Sequence, residues 1–128
     1  MIKYNLLLYL ISPYLLLSIV FDGIRKKGGL KFILQRLGLI SFKKLSNTIW
    51  LHAASIGETK LAILLYKKLK TLDSSKSFLI TTNTESSSKL IRDINDEALQ
   101  HSFLPIDWFY TMKRFCKAVN PQICIIIE

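Results

Sequence analysis

Apolar and polar positions follow three different rhythms along the chain. From Tyr4 to Phe21 there are 18 residues without a charge, interrupted only by Asn5, Ser12, Pro13 and Ser18. A bilayer span takes roughly 20 apolar residues, so this stretch is at the short end of what can cross or lie on a membrane. Gly28 to Leu45 then sets Lys31, Arg36, Lys43 and Lys44 among Phe32, Leu34, Leu37 and Phe42, the pattern of a basic amphipathic segment. From Thr48 onward, short β-prone runs alternate with helical periodicity. Ile49-Trp50-Leu51 predicts a strand, Ser55-Ile56-Gly57 a turn, and Glu58 opens a helix with Leu61, Ala62, Leu64, Leu65 and Leu69 on its apolar side, ending near Leu72 to Ser75. Ser77 to Thr82 predicts a second strand, Thr84 to Ser88 turn and cap residues before Lys89 to Ile94, and His101 to Ile106 a third strand. Trp108 to Val119 predicts a helix with Phe109, Met112, Phe115 and Cys116 on one side, and Ile123 to Ile127 a fourth strand.

The resulting β-α-β-α-β-α-β order implies parallel strands joined by right-handed crossovers, an α/β fold with a Rossmann-like sheet. Residues 1–24 are expected to form a membrane anchor or interfacial helix, 25–47 the basic amphipathic segment, and 48–128 a partial Rossmann-like domain. Ile123-Cys124-Ile125-Ile126-Ile127 is apolar throughout, as expected of a strand buried on both faces. In such sheets, ligands bind beyond the carboxyl ends of the strands, so the turn after the first strand and Glu128 after the fourth are expected to line a site. A doubly wound domain is expected to continue past Glu128. The chain shows no internal repeat and no low-complexity linker.

Composition sharpens the first segment. Half of the 128 residues are hydrophobic, more than is usual in a soluble domain. The net charge of +9 is unevenly spread: residues 1–50 hold eight Lys/Arg and one acid, residues 51–128 ten and eight. Lys3 precedes the apolar run and Arg25, Lys26, Lys27 and Lys31 follow it, which would keep the following side cytoplasmic. Phe21-Asp22-Gly23-Ile24 lacks the small residues of a cleavage site, so an anchor is favoured over a signal peptide. Basic residues beside an apolar anchor fit an anionic lipid surface. Nucleic acid is excluded as the preferred partner because no binding motif for it is present. Cys116 and Cys124 form no metal-type pair and are expected to be buried thiols.

The candidate chemistry centres on Glu58. Ser55-x-x-Glu58 is a capping-box pattern, in which the carboxylate reaches back to the Ser backbone. One carboxylate oxygen suffices for that, and a helix N-terminus favours the ionised form that can accept a proton. Gly57 would let a ligand approach closely. His52 is expected to be a hydrogen-bonded structural residue. Thr81, Thr82, Thr84, Ser86, Ser87 and Ser88 are expected mainly to cap, and Asp107 to cap the following helix. Neither a Walker pattern nor GxGxxG is present.

With these residues in view, the chain resembles the N-terminal part of the 3-deoxy-D-manno-octulosonic acid (Kdo) transferase family of lipopolysaccharide synthesis. The resemblance rests on Leu51-His52-Ala53-Ala54-Ser55-Ile56-Gly57-Glu58-Thr59, on Thr81-Thr82-Asn83-Thr84, and on Leu104-Pro105-x-Asp107 leading through Asn120-Pro121 to Glu128. It implies the N-terminal half of a GT-B glycosyltransferase, acting on a lipid A precursor with CMP-Kdo as donor and needing no metal or other cofactor. The family's catalytic base falls on Glu58, with Ser55, Gly57 and Arg36 expected on the acceptor side and the inner membrane, cytoplasmic face, as its location. Two departures accompany it. Ser87 stands where the family usually has Gly, and the family's donor-binding domain lies beyond the pattern present here, so the chain alone is expected to be inactive. The alternatives are a non-catalytic membrane-associated remnant that binds anionic lipid, or another GT-B lipid glycosyltransferase.

Overall fold

The structure is a computed structural model that describes residues 2–25, 29–39, 42 and 46–128. Lys26, Lys27, Lys43 and Lys44 of the basic segment lie outside the described residues. Among the described residues, five helices and four strands follow in the order α1 (Ile2–Arg25), α2 (Gly29–Arg36), β1 (Thr48–Ala53), α3 (Ile56–Leu72), β2 (Ser77–Thr82), α4 (Glu85–Arg92), β3 (Leu99–Phe103), α5 (Phe109–Val119) and β4 (Ile123–Ile127). The chain divides into two units, residues 1–40 with 105–117, and residues 41–104 with 118–128.

The second unit holds a parallel four-stranded sheet in the order β3-β2-β1-β4, the α/β architecture expected from the alternation. Register aligns the carboxyl ends: Ala53 pairs with Thr82 on one side and Ile127 on the other, and Thr82 pairs with Phe103. Ile49, Leu51 and Ala53 alternate with Trp50 and His52, as strand geometry requires. Their side of the sheet packs on Ala62 and Tyr66 of α3, Phe78 and Ile80 of β2, and Ile91 of α4, which make the core. Tyr66 and Phe78 meet edge to face at 5.0 Å, and Tyr66 Oη and Lys70 Nζ both bind the Asp96 carboxylate at the opposite end of the helix from Glu58.

The structure differs from the sequence expectations in three ways. β4 is an edge strand, paired with β1 alone among the described strands, and Ile123 and Ile126 are 52% and 64% exposed rather than buried on both faces. Its apolar run reads as central because periodicity reports composition and not position in the sheet. Cys116 and Cys124 are both exposed. The third strand starts two residues earlier than its apolar run and ends at Phe103, because its pairing is set by register with Phe78 to Thr82.

In the first unit, α2 ends in a Schellman turn: Leu39 N–H donates to Leu34 O (2.8 Å) and Gly38 N–H to Gln35 O (2.9 Å). Gly38 has φ +65°, and a Cβ there would stand 2.9 Å from Thr111 Cγ2, so the turn requires glycine twice over. Asp107, expected as a cap, instead accepts a hydrogen bond from Tyr4 Oη at 2.6 Å. By length and composition, Leu6–Arg25 is apolar enough to cross a membrane.

Candidate active site

Strand order marks a candidate position for a site. The chain steps outward from β1 to β2 to β3, then returns to the other side of β1 as β4, so the order reverses between β1 and β4. Open α/β sheets bind ligands at that reversal, outside the carboxyl ends of the strands. The segment leaving β1 at this point is Ala54-Ser55-Ile56-Gly57-Glu58, and the residue ending β4 beside it is Ile127, followed by Glu128.

The turn is built by Glu58. Ser55 adopts extended φ/ψ (−115°, 167°), caps α3 and forms a complete capping box with Glu58. Ala54 N–H and Ser55 N–H donate to Glu58 Oε2 at 2.7 and 3.2 Å, and Ser55 Oγ donates to Oε1 at 2.7 Å. Glu58 N–H donates back to Ser55 Oγ at 3.3 Å. Both carboxylate oxygens therefore take part, where the cap alone needs one. Each oxygen has two lone pairs. Those of Oε2 are both engaged and Oε1 keeps one, which makes Oε1 the atom able to accept a further proton.

Electrostatics follow from these bonds. The Ser55 hydroxyl, then the Ala54 amide, hold the Glu58 carboxyl below its usual range, and His52 acts in the same direction. Glu58 is thus ionised at neutral pH, at some cost in basicity. Gly57 is exposed, has no positive φ, and a Cβ there would meet only Ser55 Oγ at 4.0 Å. Among the described residues, no neighbour demands a glycine at this position.

His52 is half-buried with Nδ1 2.9 Å from Thr81 Oγ1, which also accepts from Trp50 Nε1 at 2.8 Å. Burial lowers the His52 pKa, with the Thr81 backbone and Glu58 opposing. The imidazole is therefore held mainly neutral, in line with a structural role. Thr82 Oγ1 and Ser88 Oγ flank His101 at 2.9 and 3.4 Å beneath α4, and Thr84 caps α4 by accepting from Ser87 N–H at 3.3 Å. Ser87 is buried in the first turn of α4, so its side chain is accommodated where the resemblance expects Gly. The hub at Thr81 and the His101 network escaped sequence reasoning because they depend on strand register; the one signal in the sequence was the clustering of hydroxyls after Ile80.

Ser55, Gly57 and Glu58 are thus brought together in one turn. Arg36 belongs to the first unit, as the last residue of α2, half-buried, its pKa lowered by burial with Asp22 opposing. Among the described residues, no group of three or more His, Cys, Asp or Glu side chains is placed to hold a metal ion.

Comparison with known proteins gives a consistent family. Residues 31–128 match the family model described as 3-deoxy-D-manno-octulosonic-acid transferase (kdotransferase). The chain is 35% identical over 80 residues to the 3-deoxy-D-manno-octulosonic acid transferase of Rickettsia prowazekii, covering 62% of this chain and 17% of that protein. It is 32% identical over 80 residues to the transferase of the same name from Haemophilus influenzae, covering 62% and 19%. To a probable mitochondrial 3-deoxy-D-manno-octulosonic acid transferase of Arabidopsis thaliana it is 29% identical over 126 residues, covering 98% and 28%. The chain therefore spans less than a third of the length of these curated relatives. No solved structure matches.

Proposed function

The chain belongs to the 3-deoxy-D-manno-octulosonic acid transferase family, as its N-terminal part, and from that premise we propose that it forms the acceptor side of an enzyme transferring Kdo from CMP-Kdo to a lipid A precursor. Glu58 is the general base. Its Oε1 takes the proton of a glucosamine hydroxyl on the acceptor. The hydroxyl oxygen then bonds to the anomeric carbon of Kdo as the bond to the CMP phosphate breaks, with inversion and with CMP carrying away the electron pair. The observation that carries this reading is a carboxylate held ionised, with one open lone pair, at the point where the strand order reverses.

Gly57 leaves room beside the base for the acceptor sugar, and Ser55 orients the carboxylate. Exposed Lys31 and the half-buried Arg36 belong to the basic region that meets the anionic acceptor at the cytoplasmic face of the inner membrane. Donor binding falls to sequence corresponding to the remainder of the relatives, so the 128 residues alone are expected not to transfer Kdo. The test is a hybrid in which these residues replace the matching segment of the Haemophilus influenzae transferase. Transfer of labelled Kdo onto a lipid A precursor by the hybrid supports the reading. A stably folded, membrane-bound hybrid without transfer contradicts it.

A further inference from the structure

The contacts of α1 bear on how the chain meets the membrane. We propose that α1 lies in the plane of the membrane surface, with both of its ends on the same side, instead of crossing the bilayer; this rests on the proposed function, in which a membrane surface is the chain's partner.

Within the first unit, the contacts at the two ends of α1 form a closed loop. Near its start, α1 is held by Tyr4 Oη donating to Asp107 Oδ2 at 2.6 Å, and Leu8 and Tyr9 line a small cavity with Trp108 and Phe109. Near its end, α1 packs so closely on α2 that a Cβ added to Gly23 would stand 2.6 Å from Ile33 Cγ1. These two partner segments are themselves joined, since Ile106 N–H donates to Arg36 O at 2.8 Å. At 1.5 Å per residue, Tyr4 and Gly23 are about 28 Å apart along the helix. That is close to the roughly 30 Å hydrocarbon thickness of a bilayer. A crossing helix would separate the partners of its two ends by the membrane, yet Ile106 and Arg36 are hydrogen-bonded.

The helix is also two-sided. Leu8, Ser12, Leu15, Ser18, Ile19, Asp22 and Gly23 recur at helical spacing as a partly shielded stripe, buried at Ile19 and Gly23 and half-buried at the others, while the rest of the helix between Leu6 and Ile24 is exposed. Ser12, Ser18 and Asp22 all fall on the shielded stripe. The exposed arc carries Leu, Ile, Val, Phe, Tyr and Pro13 only. Tyr14 is 72% exposed near the middle of the helix. In a crossing helix its hydroxyl would sit at the bilayer midplane without a partner, a costly position. In an in-plane helix it reaches the headgroups, where Tyr is favoured.

Charge completes the match to an anionic lipid surface. The sequence of this unit holds nine Lys/Arg and two acids. Asp22 lies on the shielded stripe and Asp107 is engaged by Tyr4. Beside Tyr9, α5 exposes Phe109 and Tyr110, followed on the same helix by exposed Lys113, Arg114 and Lys117. That is an aromatic tip with cations placed for phosphates.

The experiment uses the full chain with Cys116→Ser and Cys124→Ser, carrying either Lys3→Cys or Arg25→Cys at exposed positions, in inside-out inner-membrane vesicles. A membrane-impermeant maleimide is applied before and after detergent. In-plane seating predicts that the two sites react alike, with detergent leaving both signals unchanged. If detergent multiplies the Lys3→Cys signal and leaves Arg25→Cys unchanged, the helix crosses and the proposal falls while membrane binding stands. Recovery of the chain in the soluble fraction would overturn both.

Discussion

At the scale of single residues, the unusual feature of Glu58 is that one network makes it both a cap and an ionised carboxylate. The Ser55 hydroxyl is the largest cause of its lowered pKa. A base works only when deprotonated, so transfer by an enzyme carrying this segment should fall as pH drops through the folded pKa, below the ordinary glutamate value of about 4.3. Ser55→Ala removes that bond and should move the acidic limb of the kcat/KM profile upward. The loss of the cap should cost about 0.5–2 kcal/mol of stability. An unmoved limb would mean that the group titrating is not Glu58. Gly57 gives a complementary test. Helical Gly→Ala where the backbone is compatible stabilises by about 0.4–1 kcal/mol. Gly57→Ala should therefore hold or raise the unfolding midpoint while raising KM for the acceptor. An unchanged KM would show that nothing approaches there.

At the scale of elements, α3 is held at both ends. Its start is capped by Ser55 and Glu58, and its last turns bind Asp96 through Tyr66 and Lys70. Lys70, then Tyr66, depress the Asp96 carboxyl to about 2. The folded value lies below the unfolded one of about 3.9. The ionised carboxylate thus contributes stability that is fully present above about pH 4 and is lost as pH falls toward 2. Asp96→Asn should flatten the stability profile in that window, measured by urea unfolding at stepped pH. An unchanged profile would remove the clamp from the account. In the first unit, Gly38→Ala meets both a positive φ and Thr111, so it should destabilise by more than about 1 kcal/mol, read as a lowered unfolding midpoint.

At the scale of the whole chain, the limits of the sequence were physical ones. Ser77–Thr82 and Ile123–Ile127 were legible to the residue because these β-prone runs are sharply bounded, by Asn83 after the first and by Pro121-Gln122 before the second. The exposure of β4 was not legible, since a strand's place in a sheet is decided by residues far away in sequence. The Ser55–Glu58 box was legible because a cap is local, spanning one helical turn. The carboxylate's second pair of bonds, and the His52–Thr81 contact across two strands, required the fold. The reversal of strand order falls at the turn that carries Glu58, the residue proposed as base. The most direct test is Glu58→Gln in the hybrid transferase, with kcat and the unfolding midpoint measured on the same preparation. Glutamine keeps the capping-box pattern but cannot accept the proton, so kcat should fall by about 10²–10⁴ with the midpoint nearly in place. Unchanged kcat would contradict the account, leaving Glu58 as a cap alone.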